Sequence, residues 1–355
     1  MSQERPRNDD GELDDDFEVV EQDDELDLDD LIELDELEDL ESDIPDLLAQ
    51  APAEPATGSL EAFVGGQVQA PDVVALSDLG KVAARRFAGE WPALPVEARR
   101  LITFMMGDLP HERYELRFGR ALRVALTDED AVVRQLAITG LWNEEDEACI
   151  AILLDLIEQD DSIDVRAEAA RAIGEYVSLA EIEEIEEAVA EDMRERLLAL
   201  VSDPDTEPMV RRRVLESAAV YGGAEIESLI QDAYDTGEHD EIASALFAMG
   251  RTCDKRWLPP LIEELASDDA QLRFEAARSL GEIGSDRAVA DLLAAMDGEE
   301  DVEVRHAVIG ALGEIGGKSA KRALQRLAEL AEDVDREVIE DALEMSSFDD
   351  SGPDL

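Results

Sequence analysis

Residues 272–284 read LRFEAARSLGEIG, residues 304–316 read VRHAVIGALGEIG and residues 165–177 read VRAEAARAIGEYV. These are copies of one phrase. Aligned on its arginine, the phrase recurs at Arg134, Arg166, Arg211, Arg273, Arg305 and Arg336, and a degenerate copy at Ile242 lacks the arginine. The seven anchors are spaced by 32, 45, 31, 31, 32 and 31 residues. The long gap carries its extra residues in the Glu-rich stretch Leu179–Asp192, which reads as a lengthened helix or an insertion. A fixed period of this length is the mark of stacked repeats, and it favours an extended binding surface over a catalytic pocket.

Within the better units, apolar residues stand at −1, +3, +4, +7 and +10 from the anchor. In the Arg273 copy they are Leu272, Ala276, Ala277, Leu280 and Ile283. That spacing puts one apolar stripe on a helix. Gly222, Gly284 and Gly316, at +11, predict a helix end in the left-handed conformation. A second stripe follows in Ala288, Val289, Leu292, Leu293 and Met296. Acidic turns at 267–269 and 298–301 predict N-caps, with negative charge at the helix N-termini. Each unit is therefore a helix–turn–helix that buries its apolar face only against its neighbours. The anchor arginines Arg134, Arg166, Arg211, Arg273, Arg305 and Arg336 are expected to run along the stack to an acidic turn as structural struts. The competing reading makes them a ligand site.

The pattern D-x-x-V-R-x-x-A-x-x-A-L-G-x-I-G resembles the short HEAT-like repeats of the phycobilisome-lyase type. The resemblance covers roughly Asp128 to Phe348, with weaker helical pairs back to Leu76. It implies an all-α right-handed superhelix, an α–α solenoid of HEAT-like helical hairpins, with the anchor helix lining the concave face. Such repeats serve scaffolds, adaptors, bilin lyases and a metal-dependent hydroxylase. The hydroxylase branch binds iron through several His-Glu pairs, and this chain has only His111-Glu112 in that order.

Of 355 residues, 91 are acidic and 31 basic, a net charge of −60. No large basic face can be assembled, so a general nucleic-acid binder and a binder of anionic membranes are both disfavoured. Basic or mixed-charge protein partners, cations or a high-salt milieu are favoured. Only Lys81, Lys255, Lys318 and Lys321 are lysines, which with the excess acid resembles proteins of salt-loving organisms. Cys149 and Cys253 are too few for a disulfide framework or a thiolate zinc site, and both read as small core residues. The sequence shows no secretory signal and no membrane-length apolar run, so a cytoplasmic protein is expected. It does not give an oligomeric state.

Residues 1–50 hold 23 acidic and two basic residues and read as a disordered acidic arm. Within it Leu37, Leu40, Ile44, Leu47 and Leu48 form a candidate docking element. Residues 51–75 read as a linker, 76–127 as an N-terminal helical capping region, 128–348 as the repeats and 349–355 as an acidic tail. The capping region is read as three helices. One carries Leu79, Val82, Ala83 and Phe87, a second ends near Gly107, and a third runs from about His111 to Leu126 with Tyr114 and Phe118. Its arginines (Arg85, Arg86, Arg99, Arg100, Arg113, Arg117, Arg120 and Arg123) suggest a latch for the acidic arm.

No catalytic constellation emerges. His111, His239 and His306 are isolated in the chain, no glycine run has P-loop or dinucleotide context, and no G-x-S-x-G elbow occurs. No catalytic, cofactor-binding or metal-ligating residue is assigned. What remains is the outward column at +2, +5 and +9 of the anchor helices. It supplies Glu168, Arg171 and Glu175, then Arg213 and Glu216, then Glu275, Arg278 and Glu282, then Glu314. These form a net acidic ridge expected to meet a partner. The expected function is a non-enzymatic interaction scaffold or adaptor. The alternatives are a bilin-lyase-like or metal-dependent modifying enzyme, and a regulatory module acting through the leucine-bearing arm.

Overall fold

The structure, a computed structural model, describes residues 68, 70–144, 147–330 and 333–348. The arm residues Leu37, Leu40, Ile44, Leu47 and Leu48 and the tail 349–355 lie outside them. In chain order the helices are α1 (Ala70–Val74), α2 (Lys81–Glu90), α3 (Val96–Glu112), α4 (Gly119–Ala125), α5 (Ala131–Thr139) and α6 (Ala148–Gln159). They continue as α7 (Ile163–Glu181), α8 (Glu187–Ser202), α9 (Pro208–Ala218), α10 (Gly223–Tyr234), α11 (His239–Arg251) and α12 (Leu258–Glu264). The last are α13 (Ala270–Ile283), α14 (Val289–Ala295), α15 (Val302–Ile315), α16 (Gly317–Leu330) and α17 (Asp333–Phe348). No strand occurs among the described residues.

The helices form two layers. Odd-numbered helices from α3 to α17 each pack on the next odd helix, and each even helix from α4 to α16 pairs with the odd helix that follows it. The odd layer carries the repeat phrase. Leu272, Ala276, Ala277, Leu280 and Ile283 are all buried, as the stripe requires. Each full-sized apolar side chain buried this way is worth about 1.5–3 kcal/mol, and neighbouring units share the surface. The second stripe buries Ala288, Val289 and Leu292 and leaves Leu293 half-exposed.

The odd helices approach closely because small residues meet in a fixed register. The residue at +8 of one anchor helix receives the residue at +6 of the next. Ser217 caps the approach at Gly174 and donates to Ala170 O at 2.7 Å. Ser279 does the same at Gly250, donating to Leu246 O at 2.8 Å. A methyl on Gly313 would lie 3.1 Å from Ala342 Cα. The even helices lack this register and touch one another far less, so the odd layer is the tightly spaced side of the stack.

The acidic turns work twice. Asp269 Oδ1 accepts from Gln271 N at 2.9 Å and Leu272 N at 3.2 Å, and Asp301 Oδ1 accepts from Glu303 N at 2.9 Å and Val304 N at 3.1 Å. Each such cap contributes about 1 kcal/mol. A second acid in the turn receives the arginine of the preceding unit. Arg134 grips Asp160 with two bonds of 2.8 and 2.7 Å, and its remaining amine donates to Asp128 O at 2.8 Å. Arg273 grips Glu299 at 2.7 and 3.0 Å and reaches Ser267 O at 2.9 Å. Arg305 meets Asp335 at 3.1 Å. Arg166 instead donates to Ile157 O at 2.8 Å, and Arg211 stands 3.9 Å from Glu241. Arg336 lies on α17, the last helix.

Several details depart from the sequence reading. A short helix, α1, occupies part of the expected linker, with Ala70 and Val73 fully buried. Helix α3 runs on through Pro110 to Glu112, so His111 lies in a last turn and not at a helix start. Residues 113–118 are not helical, which shortens the expected third helix to α4 and leaves Tyr114 80 % exposed. Val82 is 82 % exposed, outside the buried stripe of Leu79 and Phe87. Cys149 is buried, but Cys253 is exposed. Gly284 is left-handed as expected (φ 62°, ψ 37°). Gly222 (φ 59°, ψ −160°) and Gly316 (φ 62°, ψ −158°) instead take a conformation open essentially to glycine alone.

Candidate partner-binding face

The tightly spaced layer exposes the +2, +5 and +9 column. On α7, Arg171 folds onto Glu168 at 2.5 Å, Thr139 of α5 donates to the same carboxylate at 3.2 Å, and Glu175 is exposed nearby. On α9, Arg213 bonds Glu216 at 3.1 Å. Glu216 itself is only 5 % exposed and accepts from Ser244 of α11 at 2.6 Å, so it joins two helices instead of projecting outward. On α13, Arg278 bonds Glu275 at 3.3 Å and Glu282 at 2.8 Å. Glu314 of α15 lies against Gly281 of α13, which carries its charge toward the same group.

Three carboxylates (Glu275, Glu282 and Glu314) thus gather around the guanidinium of Arg278. The electrostatic consequence is visible in the acids. Burial pushes the Glu275 carboxyl up to about 7; Arg278 opposes the rise, Glu216 and Glu282 add to it, and Arg213 opposes it again. Burial, then the charge of Glu282, also raises Glu314. The surroundings disfavour full ionisation of the cluster, the condition an incoming cation relieves.

Sequence reading missed part of this face. Counting +2, +5 and +9 from Ile242 gives Ser244, Phe247 and Arg251, in the unit whose missing arginine hides the phrase. Phe247 is half-buried beneath Arg278, whose guanidinium carbon lies 4.2 Å from the ring centroid. Arg251 donates to Ser178 of α7 at 2.8 Å, spanning α9. Toward the N-terminal end the face turns aromatic. Trp142 stacks on His111 with centroids 4.2 Å apart, donates to Gly107 O at 3.0 Å and stays 47 % exposed.

Most arginines of the N-terminal block are occupied within the fold. Arg99 meets Asp128 at 2.7 Å, and Trp91 donates to the same carboxylate at 2.6 Å. Arg100 grips Asp130 at 3.0 and 2.7 Å, the geometry of the repeat struts. Arg117 and Arg120 donate to the carbonyls of Tyr114 and Leu79. Arg86 and Arg113 pair with Glu90 and Glu115. No helix among the described residues is long and apolar enough to cross a membrane. No group of three or more His, Cys, Asp or Glu among them is placed to hold a metal ion.

The layered helical hairpins and the strut register define a helical-repeat solenoid. Residues 120–196 and 258–346 match the family model for HEAT repeats. The two matched stretches carry HEAT repeats, and the fold of the chain is that of a HEAT-like solenoid. Among solved structures it is similar to the complex of CpcE and CpcF of phycocyanin lyase from Nostoc sp. PCC7120, at 17 % identity. That match covers 79 % of this chain and 98 % of the other, with a TM-score of 0.51. Human deoxyhypusine hydroxylase matches at 23 % identity over 76 % of this chain and all of its own, with a TM-score of 0.33. Importin beta matches at 13 % identity over 78 % of this chain and 44 % of its own, with a TM-score of 0.42. No curated protein matches the chain.

Proposed function

We propose that this chain is a non-catalytic interaction scaffold that seats a protein partner on the odd-helix face from α7 to α15. The observation that carries the reading is the gathering of Glu275, Glu282 and Glu314 around Arg278, beside the half-buried ring of Phe247. An unbalanced carboxylate group next to an aromatic surface suits a basic or mixed-charge segment, because a cation there gains charge pairing and ring contact together. The close spacing of the odd layer supports reading this face as the inner side of the stack, where solenoids hold extended chains and helices.

The test is site-specific crosslinking. A photoreactive residue at Phe247 should trap a discrete protein partner in the native host, and the same group at exposed Gln231 of α10 should not trap it. Adducts at position 231 alone, or at neither position, would overturn the reading.

A further inference from the structure

The even layer ends in a helix whose charge runs against that of the five even helices before it. Helix α16 carries Lys318, Lys321, Arg322 and Arg326 against the single acid Glu329, a net +3. The even helices α6, α8, α10, α12 and α14 are each net negative. Between α14 and α16 lies an open cleft of about 380 Å³. Val289, Leu293 and Ala323 give it an apolar floor, and Arg322 and Arg326 stand on one wall with Asp286 opposite. Arg322 and Arg326 are exposed, and neither side chain forms an ion pair or hydrogen bond among the described residues. This sets them apart from Arg134, Arg196, Arg273 and Arg305, each of which grips a carboxylate. Two unpaired guanidiniums one helical turn apart over an apolar floor ask for carboxylates with an apolar side chain between them.

We infer that the α14–α16 cleft is a second docking surface, separate from the odd-helix face, and that it takes an acidic, leucine-bearing segment of a partner protein. The leucine side chains enter between Val289, Leu293 and Ala323, and the carboxylates pair with Arg322 and Arg326. The chain's overall charge does not forbid this. At about 0.15 M salt, charges beyond ~8 Å are screened, so the cations at the cleft edge govern what lands there.

The test uses the full chain and a labelled 20-residue peptide of glutamates with leucines at three- and four-residue spacing, followed by fluorescence anisotropy at about 0.15 M salt. Saturable binding is expected, with affinity falling about tenfold or more in Arg322→Gln/Arg326→Gln. The charge-matched control Arg194→Gln/Arg256→Gln, at exposed positions outside both surfaces, should bind like the wild type. Absence of saturable binding, or equal loss in both variants, overturns the assignment. Binding that emerges only after deletion of residues 1–50 would give the cleft to the chain's own acidic terminus and overturn the partner assignment. The odd-helix reading stands or falls separately, at Phe247.

Discussion

Gly281 of α13 and Ala311 of α15 meet so closely that a methyl on Gly281 would lie 2.8 Å from Ala311 Cα and 2.5 Å from the Glu314 carboxylate. Neither neighbour's backbone can yield without moving α15. Gly281→Ala is therefore expected to destabilise the chain by about 1–3 kcal/mol, overpacking outweighing alanine's helix preference. Gly310, with nothing within 4 Å of a new methyl, is the internal control. Gly310→Ala should stabilise by about 0.5–1 kcal/mol. Urea unfolding of the two variants checks the pair, and a shift of the same sign in both would refute the register.

The struts differ in strength by environment. Arg134 and Asp160 are 8 % and 5 % exposed in their side chains, so removing one strands the other. Arg134→Ala should cost about 3–5 kcal/mol. Arg211, 3.9 Å from Glu241 and 35 % exposed, forms no such grip. Arg211→Ala should change stability by less than about 1 kcal/mol. Thermal melts of both variants read the difference.

Glu275 gives a pH dependence of known sign. Its folded value, about 7, lies above the ordinary 4.5, so the native state favours the protonated form. The resulting stability is complete below the ordinary value and is lost as pH rises through about 7. Glu275→Gln should therefore match the wild type near pH 5 and exceed it by about 1–3 kcal/mol at pH 8. Unfolding measured across that range decides it.

His239 takes the place of a strut in the unit that lacks its arginine. Its ring nitrogens stand 3.2 Å from Asp240 and 3.2 Å from Asp269, and Asp269 caps the next odd helix. Asp240, then Asp269, raises its pKa. The raised value makes this link strongest in acid, below the ordinary histidine value, and it weakens as pH rises through the folded one. With three histidines in the chain, an NMR titration should show His239 titrating above the ordinary histidine range. His239→Asn should give the α11–α13 amides the same protection factors, corrected for intrinsic exchange, on both sides of that transition.

Cys253 stands at +11 from Ile242, where three other units place glycine, and it takes φ 52°. Cys253→Gly should stabilise by about 0.5–1 kcal/mol, because glycine adopts that backbone without strain. In the native protein a thiol reagent should modify Cys253 and spare buried Cys149, which mass spectrometry of the labelled chain reports.

Much of the fold was legible because its cause is periodic. The stripe of Leu272, Leu280 and Ile283 and the N-caps of Asp269 and Asp301 follow from positions counted along one helix. What escaped depends on a neighbouring helix. The meeting of Gly281 with Ala311, the burial of Glu216 under Ser244, and the strut from Arg100 to Asp130 are relations between units whose partners lie about thirty residues away. Val82 and Tyr114 misled because apolar character at helical spacing was read where no second layer covers those residues. The candidate face was half visible. Its charges stand in the column, while Phe247 and Arg251 belong to the unit whose phrase lacks the arginine.

The +8 and +6 positions and the arginine with its acidic turn give each regular unit both halves of its own joint. A duplicated unit would arrive already matched to the neighbour on either side. The chain can thus lengthen by copying without inventing a new interface. Selection then has to work only on the few outward positions, such as Phe247 and Arg326, that the joint leaves free.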